Sequence, residues 1–274
     1  MRTLINVSRP RFWLYLFGPA LIGLAVSEQP LMYGSNARIL ALLLLWTLPA
    51  NFFLYGINDL MDSDTDSLNE KKDTYERRLA TSHRSYVRIG VGLSVLFMLS
   101  GFLLTQDVTA RLSLAIFIML GFAYSASPVR LKARPLLDSA SNVLYVMPAI
   151  MIAAACGQII PSSAVVGGWA WSSAMHLFSA IPDISADSQA KLRTTAVVLG
   201  APKSLMLCAL LWSVSAGVAL WFFSFSIVSM IAVGYAALPL FLLRSDRESL
   251  FSVYRRMPIV NAIAGFALFL SLLP

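Results

Sequence analysis

The chain has 274 residues, of which 58% are hydrophobic and only 13% charged, about half the charged fraction of an ordinary soluble domain. That balance excludes a soluble globular enzyme and leaves no stretch for a sizeable domain outside lipid. The formal net charge is +7, but the basic residues sit between apolar runs on alternate connections, so the charge reflects membrane topology rather than nucleic-acid binding.

Runs of about 17 to 25 mainly apolar residues, each able to cross a hydrocarbon core of about 30 Å, recur from end to end. They predict nine spans, at 12–27, 38–57, 86–105, 110–127, 139–158, 163–182, 202–222, 225–243 and 257–273. Backbone polar groups in lipid must be satisfied within the segment, and these runs are too long for barrel strands, so the fold class is an all-α polytopic bundle in one domain, 1–274. Gly18, Pro19 and Gly23 interrupt the first span, and the division of the run from Ser204 to Leu243 into two rests on its length. The opening MRTLINVSRPRFW lacks a small-residue cleavage site, which argues against a cleavable signal peptide.

With nine spans, the N-terminus and the connections near 58–85, 128–138, 183–201 and 244–256 share one side. Of the 21 Lys and Arg residues, 19 lie there, counting Arg88 and Lys203 at the adjoining helix ends, while Arg38 and Arg111 lie opposite. The expectation is a cytoplasmic N-terminus in the cell membrane. Cys156 and Cys208 fall inside apolar spans and read as small packing residues, and His83 and His176 as ordinary loop and helix residues.

All but two of the 14 acidic residues fall on the same cytoplasmic side, which the orientation rule does not require. In GINDLMDSDTDSLNEKK, residues 56–72, Asn58, Asp62 and Asp66 follow at i, i+4, i+8 and so share one face if the second helix continues past the hydrocarbon. Asp183 and Asp187 repeat the spacing at the end of the sixth span. Like charges at i, i+4 cost an isolated helix about 0.2–0.5 kcal/mol per pair, and the recurrence suggests a cation that offsets the repulsion. Carboxylate and amide oxygens without Cys or paired His suit Mg²⁺, which is commonly shared with substrate phosphates. Asp64, Glu70, Asp73 and Glu76 read as solvated. Arg130, Lys132 and Arg134 in YSASPVRLKARPLLD, with Lys191 and Arg193, supply cations for a diphosphate, although topology alone also accounts for juxtamembrane basic residues.

These residues resemble the UbiA superfamily of membrane prenyltransferases. Its NDxxDxxxD motif is matched from Asn58 to Asp66, and its DxxxD motif from Asp183 to Asp187. The resemblance implies that Asn58, Asp62, Asp66, Asp183 and Asp187 hold Mg²⁺ and an isoprenoid diphosphate at a cytoplasmic-facing mouth, the four carboxylates being catalytic through the metal. It adds Tyr124, Arg130, Lys132, Lys191 and Arg193 as diphosphate-binding residues beside Asn58. Within the superfamily, SRPRFWLYLFGPALIG, YSASPVRLKARPLLDSASNVLY and HLFSAIPDISADSQAKLRTTAVVLG are most similar to lycopene elongases. Enzymes of that type add a five-carbon unit from dimethylallyl diphosphate to an end of lycopene, and some hydrate the product. Some members carry YxxxK after the fourth helix, whereas Pro128 stands four residues past Tyr124, leaving Arg130 and Lys132 as alternatives for that lysine's part.

Such chemistry needs cations on a leaving diphosphate and no Ser, Cys or His nucleophile. Phe52, Phe53, Tyr55, Tyr145 and Phe178 are candidate linings for a carbocation chamber, with membrane packing as the plainer reading of each. A long apolar acceptor such as lycopene would enter from the lipid bilayer. A quinone or aromatic acceptor is the alternative within the superfamily. A cation-coupled transporter would place its acids near the bilayer midplane rather than at helix ends on one side, and the DGxxAR pattern of CDP-alcohol phosphotransferases is absent.

Overall fold

The computed structural model describes residues 2–27, 29–61 and 79–274. Asp62, Asp64, Asp66, Glu70, Asp73 and Glu76 lie outside them. Among the described residues every regular element is helical: α1 Arg2–Val7, α2 Leu14–Ala25, α3 Pro30–Ser35, α4 Ala37–Leu45, α5 Leu48–Met61, α6 Arg84–Leu104, α7 Val108–Ser125, α8 Leu137–Ala140, α9 Met147–Ala155, α10 Ser162–Ala180, α11 Ile184–Gln189, α12 Thr195–Phe223, α13 Ile227–Phe241 and α14 Arg247–Leu272, with short 3₁₀ turns between some of them.

Each of the nine expected spans falls on helix, but only six helical stretches among the described residues are both long and apolar enough to cross a membrane. These are Ala37–Met61, Thr81–Leu104, Val108–Ser125, Leu137–Ala155, Thr195–Phe223 and Arg247–Leu272. The structure thus supports the nine-span expectation only in part. α2 has 12 residues, a rise of about 18 Å against a core of about 30 Å, and α13 has 15. α10 has 19 residues, but its serines, glycines, tryptophans and His176 dilute its hydropathy. Pro19 does not break α2, and the long run from Ser204 divides as its length suggested, with Ser226 accepting a hydrogen bond from the Ser229 N–H to start α13.

The chain forms two compact units. The first comprises Met1–Arg130, Met147–Ile160 and Leu272–Pro274. In it α5 packs on α6, and α9 packs on both α2 and α7. At the α2–α9 crossing a Cβ on Gly23 would run into the carbonyl oxygen of Ala149, so only glycine allows the two backbones to touch. Phe52 lies over Gly90 and Phe53 over Gly121 in the same manner, and Phe53 also tilts against Phe117 at 5.9 Å. Where α4 gives way to α5, the Asn51 side-chain amide donates to the carbonyls of Trp46 and Thr47, at 3.4 and 2.7 Å, the latter also accepting the Asn51 N–H, so the buried break keeps its backbone satisfied.

The second unit comprises Leu131–Val146 and Pro161–Ser271, with α12 packed between α10 and α13. Specific polar ties join its helices. Ser215 Oγ donates to Gly167 O at 2.8 Å, Cys208 Sγ to Ala174 O at 3.4 Å and Tyr235 Oη to Asn261 Oδ1 at 2.5 Å. Gly200, at φ 72° ψ 167°, bends α12 five residues after its start, a conformation that glycine adopts without strain.

Candidate functional site

Asn58 stands in the last turn of α5 and is half-buried. Its Nδ2 donates to Oγ of Ser125, the last residue of α7, at 3.4 Å, which commits the amide nitrogen and leaves the carbonyl oxygen as its donor for a cation. Asp59, the motif residue for which the sequence offered no role, is buried and pairs with Arg9, Nη2 to Oδ1 at 2.9 Å. The Arg9 guanidinium also lies over the Tyr55 ring, 4.8 Å from its centroid. Tyr55 and Asp59 are one helical turn apart, so one arginine from the SRPRFW segment engages both. Arg84 donates to Leu60 O at 3.0 Å, tying the start of α6 to α5. The described face of the first motif ends with Asn58, and Asp62 and Asp66 lie outside it. Tyr124 is half-buried beside Ser125, and Arg130 is half-buried at φ 40° with its N–H donating to Ala126 O at 2.8 Å.

The remaining candidates belong to the second unit. Asp183 closes the 3₁₀ turn Ile181–Asp183 after α10, and Asp187 lies in α11, both half-buried. Arg247 Nε donates to Pro182 O at 3.0 Å and so pins the turn that carries Asp183. Asp187 Oδ2 accepts from Thr194 Oγ1 at 3.4 Å, and Thr194 in turn caps α12 by accepting from Val197 N–H at 3.3 Å. Lys191, at φ 56°, and Arg193 are exposed. Lys132 is half-buried in the 3₁₀ turn Leu131–Ala133, and Arg134 is exposed.

Between these basic segments lies a residue that sequence reasoning missed. Asp138 is completely buried. Its Oδ2 accepts from the Thr195 N–H at 2.7 Å, and its Oδ1 accepts from Ser139 N–H at 2.7 Å and, over a short bond, from the Thr195 hydroxyl. The same hydroxyl accepts from Leu136 N–H at 2.6 Å, and Asn142 Nδ2 donates to Asp138 O at 2.7 Å. The available signal was an acid closing a basic segment just ahead of the polar sequence SASN.

The donors named from sequence fit Mg²⁺ by chemistry: the amide oxygen of Asn58 and the carboxylates of Asp183 and Asp187 are hard oxygens. Among the described residues no three His, Cys, Asp or Glu side chains converge into a metal-binding group, and Asp62 and Asp66 lie outside that set. Of the five aromatic candidates, Phe52, Phe53 and Phe178 are buried in helix packing, Phe178 against Trp212 at 5.8 Å. The Tyr55 face carries Arg9, and Tyr145 is half-buried. Cys156 and Cys208 are buried free thiols, His83 lies in a 3₁₀ turn before α6, and His176 Nδ1 is 3.3 Å from Ser139 Oγ.

A family model described as the UbiA prenyltransferase family matches residues 16–270. A lycopene elongase/hydratase of Halobacterium salinarum is 39% identical over 270 residues, 96% of this chain and 94% of that protein. A lycopene elongase/hydratase of Haloferax volcanii is 41% identical over 220 residues, covering 77% of this chain and 69% of that protein. In fold, the chain is similar to a UbiA homologue from Archaeoglobus fulgidus solved bound to DMAPP and Mg²⁺, with TM-score 0.72, 18% identity and coverage of 97% of this chain and 98% of that one.

Proposed function

Because the chain belongs to the UbiA prenyltransferase family, we propose that it transfers a dimethylallyl group from its diphosphate to an end of lycopene in C50 carotenoid biosynthesis. The observation that carries this reading is the 39% identity to the Halobacterium salinarum lycopene elongase/hydratase along 94% of that protein. The proposal includes one prenyltransferase domain over 1–274, nine spans with a cytoplasmic N-terminus, and a site that faces the cytoplasm from the cell membrane. The one-sided basic residues and the helical cover of each expected span support that topology.

Asn58, Asp62, Asp66, Asp183 and Asp187 are the proposed Mg²⁺ ligands, supported by an all-oxygen donor set. Mg²⁺, when bound, offsets the charge of the diphosphate and stabilises it as a leaving group. Tyr124, Arg130, Lys132, Lys191 and Arg193 orient the diphosphate and draw off its charge by hydrogen bonds as the allylic carbon–oxygen bond breaks. The electron pair of that bond leaves with diphosphate. A terminal double bond of the acceptor then forms the new carbon–carbon bond at the allylic carbon. Loss of a proton, or addition of water, discharges the resulting cation. The apolar helices exclude water until that step.

Expression in a lycopene-producing bacterium, with pigments resolved by mass, tests the reading. The expected products are heavier than lycopene by one or two five-carbon units, with or without added water. An Asp183→Asn variant, shown by melting to be folded, should lose activity by about 100-fold or more. Unchanged lycopene together with prenylation of a quinone or aromatic precursor would overturn the acceptor, and full activity in folded Asp183→Asn would overturn the metal assignment.

A further inference from the structure

We propose that Asp138 and Thr195 form a positioning latch for the basic and acidic residues of the second unit, and that the latch sets affinity for the allylic diphosphate. The inference rests on the reading of those residues as diphosphate and metal ligands. Neither latch residue touches substrate in this scheme; both act through the segments that they join.

Two loops meet at the latch. One carries Lys132 and Arg134 and is tied to Asp138 by the bond from Asp138 N–H to Arg134 O, 3.0 Å. The other carries Asp187, Lys191 and Arg193 and ends at Thr194 and Thr195. Thr195 brings the loops together with three bonds: its N–H and hydroxyl donate to the Asp138 carboxylate, and its oxygen accepts from Leu136 N–H. Its neighbour Thr194 reaches Asp187 Oδ2. The latch therefore fixes the turn that bears Lys132 relative to an acid of the DxxxD motif through a chain of two adjacent threonines.

The local backbone supports a placement role. Leu136 at φ 67° and Lys191 at φ 56° both adopt left-handed conformations that cost a residue with a Cβ about 1–3 kcal/mol each, and such conformations persist where surrounding bonds over-determine them. Asp138 is also a costly way to fill space, since a carboxylate removed from water loses several kcal/mol of solvation. Here its charge is met by the amides of Ser139 and Thr195 and by the Thr195 hydroxyl. An apolar residue would fill the volume without fixing the relation between the two loops.

The test uses the full chain in detergent or lipid and compares Thr195→Val, which removes the hydroxyl at nearly constant shape, with Thr195→Ser, which keeps it. Two quantities are read, the steady-state constants and the Kd for inorganic pyrophosphate with Mg²⁺. Thr195→Val should raise the KM for the allylic diphosphate and the pyrophosphate Kd by about tenfold or more, the effect of losing one bond to a charged group. Its kcat and its KM for the acceptor should stay within about twofold of wild type, and Thr195→Ser should restore tight binding. A residue that merely stabilises the fold would instead lower the active fraction and leave KM and Kd unmoved. Asp138→Asn, which keeps the side-chain volume and one carbonyl oxygen, carries the same measurement if the valine variant does not fold. Pyrophosphate affinity equal to wild type in a folded variant overturns the latch alone. A wild-type chain that binds no pyrophosphate in the presence of Mg²⁺ overturns the diphosphate reading, and the latch with it.

Discussion

Among the described residues, each unit buries one carboxylate near its candidate residues, and the two are held by different chemistry. In the first, Asp59 faces a full positive charge, the Arg9 guanidinium, which also covers the Tyr55 ring. In the second, Asp138 faces neutral donors, the amides of Ser139 and Thr195 and the Thr195 hydroxyl, at the first turn of α12 ahead of the Gly200 bend. A charge partner bonds strongly but leaves a stranded ion if either member is lost, whereas dipoles can be removed one at a time. These two buried acids thus differ from the half-buried Asp183 and Asp187, the proposed metal ligands, in burial where residue type gives no distinction.

The largest effect should follow from breaking the charged pair. Asp59→Ala leaves the half-buried Arg9 without this carboxylate and should cost about 3 kcal/mol of stability in detergent denaturation. The double variant Arg9→Met with Asp59→Leu should recover most of that loss, and a double variant no more stable than the single one would show that the pair is not coupled. A middle value is expected for Asp138→Asn, about 1.5 kcal/mol, because the Thr195 N–H retains an acceptor while the charge is lost. A loss as large as that of Asp59→Ala would erase the distinction between the two environments. The smallest effect belongs to Asp246, a fully exposed cap at the start of α14 that accepts from Ser249 N–H at 3.0 Å. Hydrogen bonds from the Ser249 side chain first, and then from its backbone, hold the Asp246 carboxyl below the usual range. A depressed carboxyl contributes stability that is present above its unfolded pKa and lost as pH falls through the folded one. Asp246→Asn should leave activity unchanged and flatten that acid limb of the melting curve, and an undiminished acid limb would exclude the cap as its source.

Much of the fold was legible because hydropathy reports directly on which segments are helical in lipid. The division after Phe223 followed from length, since about 40 apolar residues exceed one crossing. What hydropathy could not report was the internal form of the stretch from Leu137 to Ala155, where α8, a 3₁₀ turn and α9 follow one another. That irregularity exists because Asp138, Asn142 and Ser139 bond to one another and to Thr195 instead of continuing a ladder, and the partner lies 57 residues away. Arg9 and Asp59 are separated by 50 residues, a pairing that no periodicity encodes. Asp183 and Asp187, expected at the end of the sixth span, instead lie past α10 in a 3₁₀ turn and the short helix after it, because Pro182 and the turn end the span before them. For Phe52, Phe53 and Phe178 membrane packing, the plainer reading, is what the structure shows; the sequence left the alternative open because a phenylalanine that packs over a glycine and one that faces a ligand look alike until the glycine's location is known.

The bend at Gly200 separates the first turn of α12 from the rod that follows. That rod, residues 201–223 of α12, extends about 35 Å, somewhat beyond a hydrocarbon core of about 30 Å, so it must tilt when the bilayer thins. A rigid helix would carry its first turn along and pull Thr195 off Asp138. With Gly200 as a swivel, the rod can change its inclination while Thr194 and Thr195 stay seated on Asp187 and Asp138, so the ties between the two loops need not follow its tilt.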